Sequence, residues 1–232
     1  MRSQDEDCRI KGRQLTQTLS EKAYRTLRQD ILWGKLAPNS HIKIDEMRVR
    51  YAIGPTPIRE ALSRLVAEGL VLSEAHRGFS IPPATMLDLT DIVAHRRLIE
   101  CNALRTAIEK GNDEWEAGVV ASYHLMARVE ERSLADGSGS WEEWELLHRK
   151  FHEALTSGAH SVWSGKFLRV LYDQGDRYRR LYRPEEVVVP EIHDDHKRIL
   201  EATLDRNADL AVREMDRHIG RLAEGAGESG LI

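Results

Sequence analysis

Apolar residues recur at helical spacing through most of the chain, and the breaks between these runs set out its plan. Ser20 is placed to cap a helix reaching about Trp33, with Ala23, Leu27 and Ile31 on one face. Gly34 ends it, and Lys35-Leu36-Ala37-Pro38-Asn39-Ser40 reads as a loop. A short second helix over 43–51 sets Met47 and Tyr51 four apart, and Ala52-Ile53-Gly54-Pro55 turns the chain. The next run predicts a third helix at 56–69. Thr56 serves as N-cap, Pro57 takes the first helical position, Ile58, Leu62 and Leu65 form the apolar stripe, and Gly69 closes it. The period then shortens. Val71-Leu72-Ser73 and Phe79-Ser80-Ile81 read as two strands around a tip at 74–78.

Pro82-Pro83-Ala84-Thr85 is a stiff boundary. Beyond it the pattern predicts six long amphipathic helices and no strand, at about 86–110, 113–135, 140–157, 160–183, 190–204 and 207–223. Breaks fall at Gly111-Asn112, 135–139, Ser157-Gly158, Pro184 to Pro190, and Arg206-Asn207. Short connections between long helices imply an antiparallel bundle. The expected plan is a loose arm (1–17), a winged helix-turn-helix (18–82), a linker (83–86), an all-α helical bundle (87–224) and a frayed tail (225–232). The fold class is mostly α.

Composition narrows the class. No apolar run among the 232 residues is long enough to span a membrane, and the N-terminus has no signal-peptide pattern. Cys8 and Cys101 give neither a disulfide framework nor a metal spacing, so a reducing, cytoplasmic setting is expected. The net charge of −4 argues by itself against nucleic acid, but it is unevenly spread. Residues 1–83 carry 14 Lys/Arg against 10 Asp/Glu, whereas residues 84–232 carry 20 against 28. A mildly basic front joined to an acidic rear fits a DNA-binding module fused to a domain with another task.

On the third helix Thr56, Arg59 and Ser63 share a side away from the apolar stripe and offer donors outward. An ordinary amphipathic helix could show the same face; the two strands that follow, with basic Arg77 at their tip, make it the reading helix of a winged helix-turn-helix. The segment Pro55-Thr56-Pro57-Ile58-Arg59-Glu60-Ala61-Leu62, then Leu65, Glu68-Gly69-Leu70-Val71 and Arg77-Gly78-Phe79, closely resembles the GntR family of bacterial transcription regulators. The resemblance implies that the helix enters the major groove of an operator and the wing an adjacent groove. Thr56, Arg59, Arg77 and Gly78 would be contacts, with Ser63 beside them and Arg48 on a phosphate. Gly54 and Pro55 depart from the family, Pro55 standing where many members have a base-reading arginine. A strong guanine contact is thereby lost.

Four of the ten histidines fall on apolar helical seams. His148 and His152 lie four apart on the face of Trp144, Phe151 and Leu155; His196 falls between Ile192 and Ile199, and His218 between Met215 and Leu222. A lone inward histidine is usually a hydrogen-bonded core residue, but four at a common depth would need four buried partners, and one shared metal accounts for all. The pattern 148–152, then His196-Lys-Arg-Ile and Arg217-His218-Ile219, is similar to the FCD effector domain that many GntR regulators carry. Six helices would place it in the smaller, vanillate-regulator-like subclass. The resemblance implies a divalent metal on His148, His152, His196 and His218, with His148 where an aspartate normally sits. Either His148 ligates, or water or effector takes its place. An all-nitrogen set favours Zn²⁺ or Ni²⁺ over Mg²⁺ or Mn²⁺. Arg96 points inward between Ile92 and Ile99, where Glu100 or a ligand carboxylate would satisfy it. Tyr178 and His193 are further effector-site or pocket-wall candidates.

The expected function is a metabolite-responsive DNA-binding regulator and repressor, not an enzyme. It would be a homodimer on a short inverted-repeat operator of double-stranded DNA, with a divalent metal and a small carboxylate effector in the bundle and no membrane partner. One alternative is a metal-dependent hydrolase with an accessory winged module. It meets Arg149 where the His-x-x-x-His pair of zincins has its glutamate base. The other alternative is a helical scaffold with structural histidines.

Overall fold

The computed structural model describes residues 18–74, 77–182 and 190–229. The expected arm at 1–17, the wing-tip residues 75–76, most of the break before Pro190, and residues 230–232 lie outside them. The chain forms two compact units that divide between Pro82 and Pro83.

In the first unit, α1 (Leu19–Leu32), α2 (Ile44–Tyr51) and α3 (Pro55–Ala67) stand with strands β1 (His41–Ile42), β2 (Leu72–Glu74) and β3 (Gly78–Ser80). The predicted stripes face one core: Ala23, Leu27, Ile58, Leu62 and Leu65 are fully buried, with Met47, Val71 and Ile81 nearly so. Burying an aliphatic side chain of this size contributes about 1.5–3 kcal/mol, set against the conformational entropy lost on folding.

Two local expectations change. First, α3 begins at Pro55 with Gly54 as N-cap, and no side chain caps it. Both prolines therefore lie in the first turn, where a backbone N–H has no helical acceptor to miss. Thr56 is thus an exposed helical residue with its hydroxyl free, not the cap. Second, β1 adds a third strand, pairing antiparallel with β3 through His41–Ser80 and Ile42–Phe79. Two residues are too few to show alternation, and only the burial of Ile42 betrays them. The two wing strands each lie one residue nearer the tip than expected, with Leu72, Ser73 and Glu74 opposite Ser80, Phe79 and Gly78. Gly78 holds φ +83, a conformation that favours glycine.

The second unit contains α4 (Met86–Lys110), α5 (Asp113–Asp136), α6 (Trp141–Ser157), α7 (Val162–Tyr182), α8 (Pro190–Leu204) and α9 (Ala208–Ser229). Thr85, Asn112 and Ser140 cap α4, α5 and α6 by accepting from the amides of Asp88, Trp115 and Glu143. The core runs through Leu104, Val119, Met126, Trp144, Phe151, Leu155, Ile199 and Met215. The tail expected to fray from residue 225 is helical to Ser229, because Ala226 packs fully buried against this core and outweighs the poor helix propensity of its glycine neighbours. No helix among the described residues is long and apolar enough to cross a membrane.

Candidate metal centre and nucleic-acid surface

The heptad-like placement of His148 and His152 puts both rings on the buried side of α6, and the apolar seams of α8 and α9 carry His196 and His218 to the same depth. One nitrogen from each of the four lies within 4.8 Å of the others. His152 Nε2 is 3.1 Å from His148 Nε2, which is 3.4 Å from His218 Nε2. Nitrogens about 2.0–2.1 Å from one ion would be about 2.9–3.4 Å apart at adjacent positions, so these gaps suit ligands of one metal.

The opposite edges of the rings show how they are held. Glu100 Oε1 accepts from His152 Nδ1, and Glu130 Oε1 accepts from His196 Nδ1 at 2.7 Å. Asp195 Oδ2 lies 3.7 Å from His218 Nδ1. Burial pushes the carboxyls of Glu100 and Glu130 up, but the charges of Arg96 and His152, and of His196, bring each down to about 2. Being ionised they can only accept, so the Nδ1 of His152 and of His196 carries a hydrogen and each Nε2 is the atom turned to the common centre. Burial is also the chief cause that lowers His148 well below its ordinary range and His218 to about 3, with the neighbouring imidazoles adding to it. The Nε2 atoms of His148, His152 and His218 thus meet at one point, and buried His196 Nε2 and His218 Nδ1 have no hydrogen-bond partner. Three carboxylates behind three imidazoles, with ring nitrogens converging in front, is a donor set that fits a divalent cation.

Trp144 stacks on His148 at 4.6 Å and donates its indole N–H to Glu130 at 2.9 Å. Arg96, 3% exposed, donates from both Nε and Nη2 to Glu100 Oε2 at 3.2 and 3.1 Å. One carboxylate therefore serves the arginine and a histidine together. Next to the rings Arg96, Arg149, Tyr172, Asp176 and Arg179 line a cleft that has no room for a water-sized sphere. Arg149 is held by Asp173 at 2.6 Å and by Asp176, which Arg179 also reaches at 3.1 Å. Burial raises the Asp176 carboxyl, but the Arg179 and Arg149 charges hold it below its usual value.

The other two effector candidates are not brought to this cleft. Tyr178 donates to Asp88 at 2.7 Å and accepts from the Thr85 amide at 3.0 Å, tying α7 to the start of α4. His193 turns to Glu130 Oε2 at 2.8 Å, behind the histidine cluster. Sequence reasoning missed Glu130, Asp195, Arg149 and Tyr172. Glu130 had a signal, an acid four residues after buried Met126 on the same helical face.

On the first unit, Arg64 is spent internally, donating to Glu21 at 2.9 Å over the Tyr24 ring, and Glu60 accepts from Ser20. Thr56, Arg59 and Ser63 are exposed on α3, and among the described residues Arg59 has no ion pair. Arg77 is 77% exposed on the wing and loosely paired with Glu74 at 3.4 Å; Arg48 pairs with Asp45 at 2.8 Å on the surface of α2. Arg59 and the hydroxyls of Thr56 and Ser63 are thus left facing outward on one helix, with loosely paired Arg77 on the wing.

A winged helix-turn-helix followed by a separate helical bundle is the build of a DNA-binding regulator. Residues 19–81 match the family model for bacterial regulatory proteins of the gntR family, and residues 91–221 match the FCD domain. The chain belongs to the GntR family of transcription regulators and carries an FCD domain. It is 37% identical over 215 residues to the HTH-type transcriptional regulator BphR of Paraburkholderia xenovorans, covering 93% of this chain and 88% of that one. It is 34% identical over 201 residues to the HTH-type transcriptional repressor GlaR of Escherichia coli, covering 84% and 90%. Among solved structures, McbR/YncC of E. coli shares the fold at TM-score 0.71 and 17% identity, over 88% of this chain and 94% of that one. A putative GntR regulator from Rhodococcus sp. RHA1 does so at TM-score 0.70 and 19% identity, over 90% and 97%. The protein is therefore a DNA-binding transcription regulator, and its family and relatives are regulators rather than enzymes.

Proposed function

We propose that this regulator represses transcription as a homodimer on a short inverted repeat of double-stranded DNA. A divalent metal and a small organic acid in the bundle set its operator affinity. The observation that carries the reading is the meeting of four buried histidine nitrogens within 4.8 Å, three of them backed by carboxylates. His148, His152, His196 and His218 would hold the ion, and four neutral nitrogens favour Zn²⁺ or Ni²⁺. The ion would offer its open positions to a carboxylate oxygen. Arg96, already an anion holder through Glu100, supplies the second anchor for that carboxylate, with Arg149 and Arg179 adding positive charge to the same cleft.

At the other end Arg59 supplies the charged base- or phosphate-directed donor, Thr56 and Ser63 flank it on α3, Arg77 and Gly78 present the wing, and Arg48 meets the backbone. Elemental analysis of protein purified without an immobilised-metal column tests the centre: about one ion per chain is expected, lost in His152→Ala. Absence of metal, with melting unmoved by EDTA, rejects it. Arg59→Ala is expected to lose about 1–3 kcal/mol of operator binding with metal content intact.

A further inference from the structure

Two spaces in the second unit share one side chain. The cleft beside the histidines has no room for a water-sized sphere, so an organic acid cannot occupy it as it stands. Tyr172 lines this cleft and also a separate groove of about 460 Å³ between α6 and α7, whose walls include Thr156, Ser157, His160, Ser164 and Arg169. That volume falls in the range of about 300–1,000 Å³ typical of small-molecule sites. Tyr172 is nearly fully buried, and its hydroxyl makes no hydrogen bond of normal geometry, although the Glu100 carboxylate stands close enough to act on it; a buried tyrosine ordinarily finds a well-placed partner. On the cleft side its ring sits 5.0 Å from the Arg96 guanidinium, 5.9 Å from that of Arg149, and 6.1 Å from the His152 ring. The groove is hydroxyl-rich, with exposed Arg169 and Glu153 on its walls, and among the described residues Arg169 makes no ion pair.

We propose that the groove between α6 and α7 is the entrance to, and the outer half of, the effector site, with Tyr172 as the movable wall, and that it takes a carboxylate carrying an extended polar tail. The carboxylate end passes Tyr172 to Arg96 and the histidine centre, while the tail stays among Thr156, Ser157 and Ser164. This rests on the proposed effector role of the bundle and adds to it a route, a ligand length and a tail chemistry.

Gly165 provides a clean test. It lines the groove, and a Cβ added there meets nothing within 4 Å, so a side chain can start there without a clash; Gly165→Phe is the variant that narrows the groove, and an unchanged melting temperature checks that the bundle is intact. Wild type, Gly165→Phe and Tyr172→Ala are loaded with zinc and compared in two ways. One is the rate at which zinc passes to an excess of fluorescent chelator; the other is calorimetric binding of acetate and of 5-hydroxypentanoate. Zinc release is expected to slow in Gly165→Phe and quicken in Tyr172→Ala. In Gly165→Phe, 5-hydroxypentanoate should bind about tenfold weaker or worse while acetate binds as in wild type. Unchanged release in both variants, or wild-type affinity for 5-hydroxypentanoate in Gly165→Phe, overturns the groove. A wild-type protein that holds zinc but takes neither acid rejects the organic-acid reading instead, and the release rates alone then judge the route. One that holds no zinc and takes neither acid overturns both.

Discussion

A buried imidazole whose Nδ1 faces an ionised carboxylate has no choice of tautomer, and here that choice is imposed on two histidines by direct hydrogen bonds from different helices. Glu130 carries the most: it accepts from His196, His193 and the Trp144 indole. Glu130→Gln keeps the volume and the acceptor oxygen but removes the charge that fixes and strengthens His196 as a ligand. The expected outcome is a metal affinity about 10–100-fold weaker, read by competition with a chelator, with little change in melting of the metal-free protein. Equal affinity would show that Glu130 is a packing residue only. The metal-free centre has a cost of its own, since it crowds three imidazole nitrogens together at 3.1 and 3.4 Å and leaves buried His196 Nε2 without a hydrogen-bond partner. Metal removal is therefore expected to lower the melting temperature, and titration with Zn²⁺ should restore it by mass action.

At the scale of elements, what could be read from the sequence was whatever repeats. Every helix of the bundle shows apolar positions at helical spacing, so α4 to α8 and the start of α9 are placed to within two residues, and the four histidines are grouped because each sits on such a seam. What did not repeat was missed. The two residues of β1 carry no period, and the start of α3 turned on which of two prolines takes the first position. The carboxylates behind the histidines come from α4, α5 and α8, and only the packing of those helices assigns each to a ring. Tyr178 and His193 sit on inward faces too, but their partners, Asp88 and Glu130, lie on other helices and draw them away from the cleft. The end of α9 was misjudged because Gly225, Gly227 and Ser229 are poor helix formers, whereas buried Ala226 holds the segment in place. Two substitutions check this. Gly227→Ala, exposed and with its added Cβ no closer than 4.0 Å to Met86, is expected to stabilise by about 0.5–1 kcal/mol. Ala226→Asp, which buries a charge without a partner, should lower the melting temperature by several degrees. A frayed tail would leave both at the wild-type value.

At the scale of the whole molecule, the charge division assigns each unit its partner. The first 83 residues carry a balance of +4 and the remainder −8, so nucleic acid is drawn to the winged unit and repelled by the bundle. Among the described outward cations of one winged unit, Arg59 is unpaired while Arg48 and Arg77 lie beside acids of their own segment, and each phosphate or base contact is individually modest. Specific binding at physiological salt then calls for two units acting on one DNA, which is the reason a homodimer on an inverted repeat is the economical solution. Two consequences can be measured on the same operator. The logarithm of affinity should fall linearly with the logarithm of salt, with a slope set by the phosphates both units neutralise, and Arg48→Ala should reduce that slope in proportion while leaving base preference unchanged. Inserting about five base pairs between half-sites turns them to opposite faces of the helix and should reduce binding toward that of a single half-site, whereas about ten should restore facing and recover part of it. Binding indifferent to the five-base-pair insertion would mean that each chain reads its half-site alone, and the homodimer would have to be abandoned.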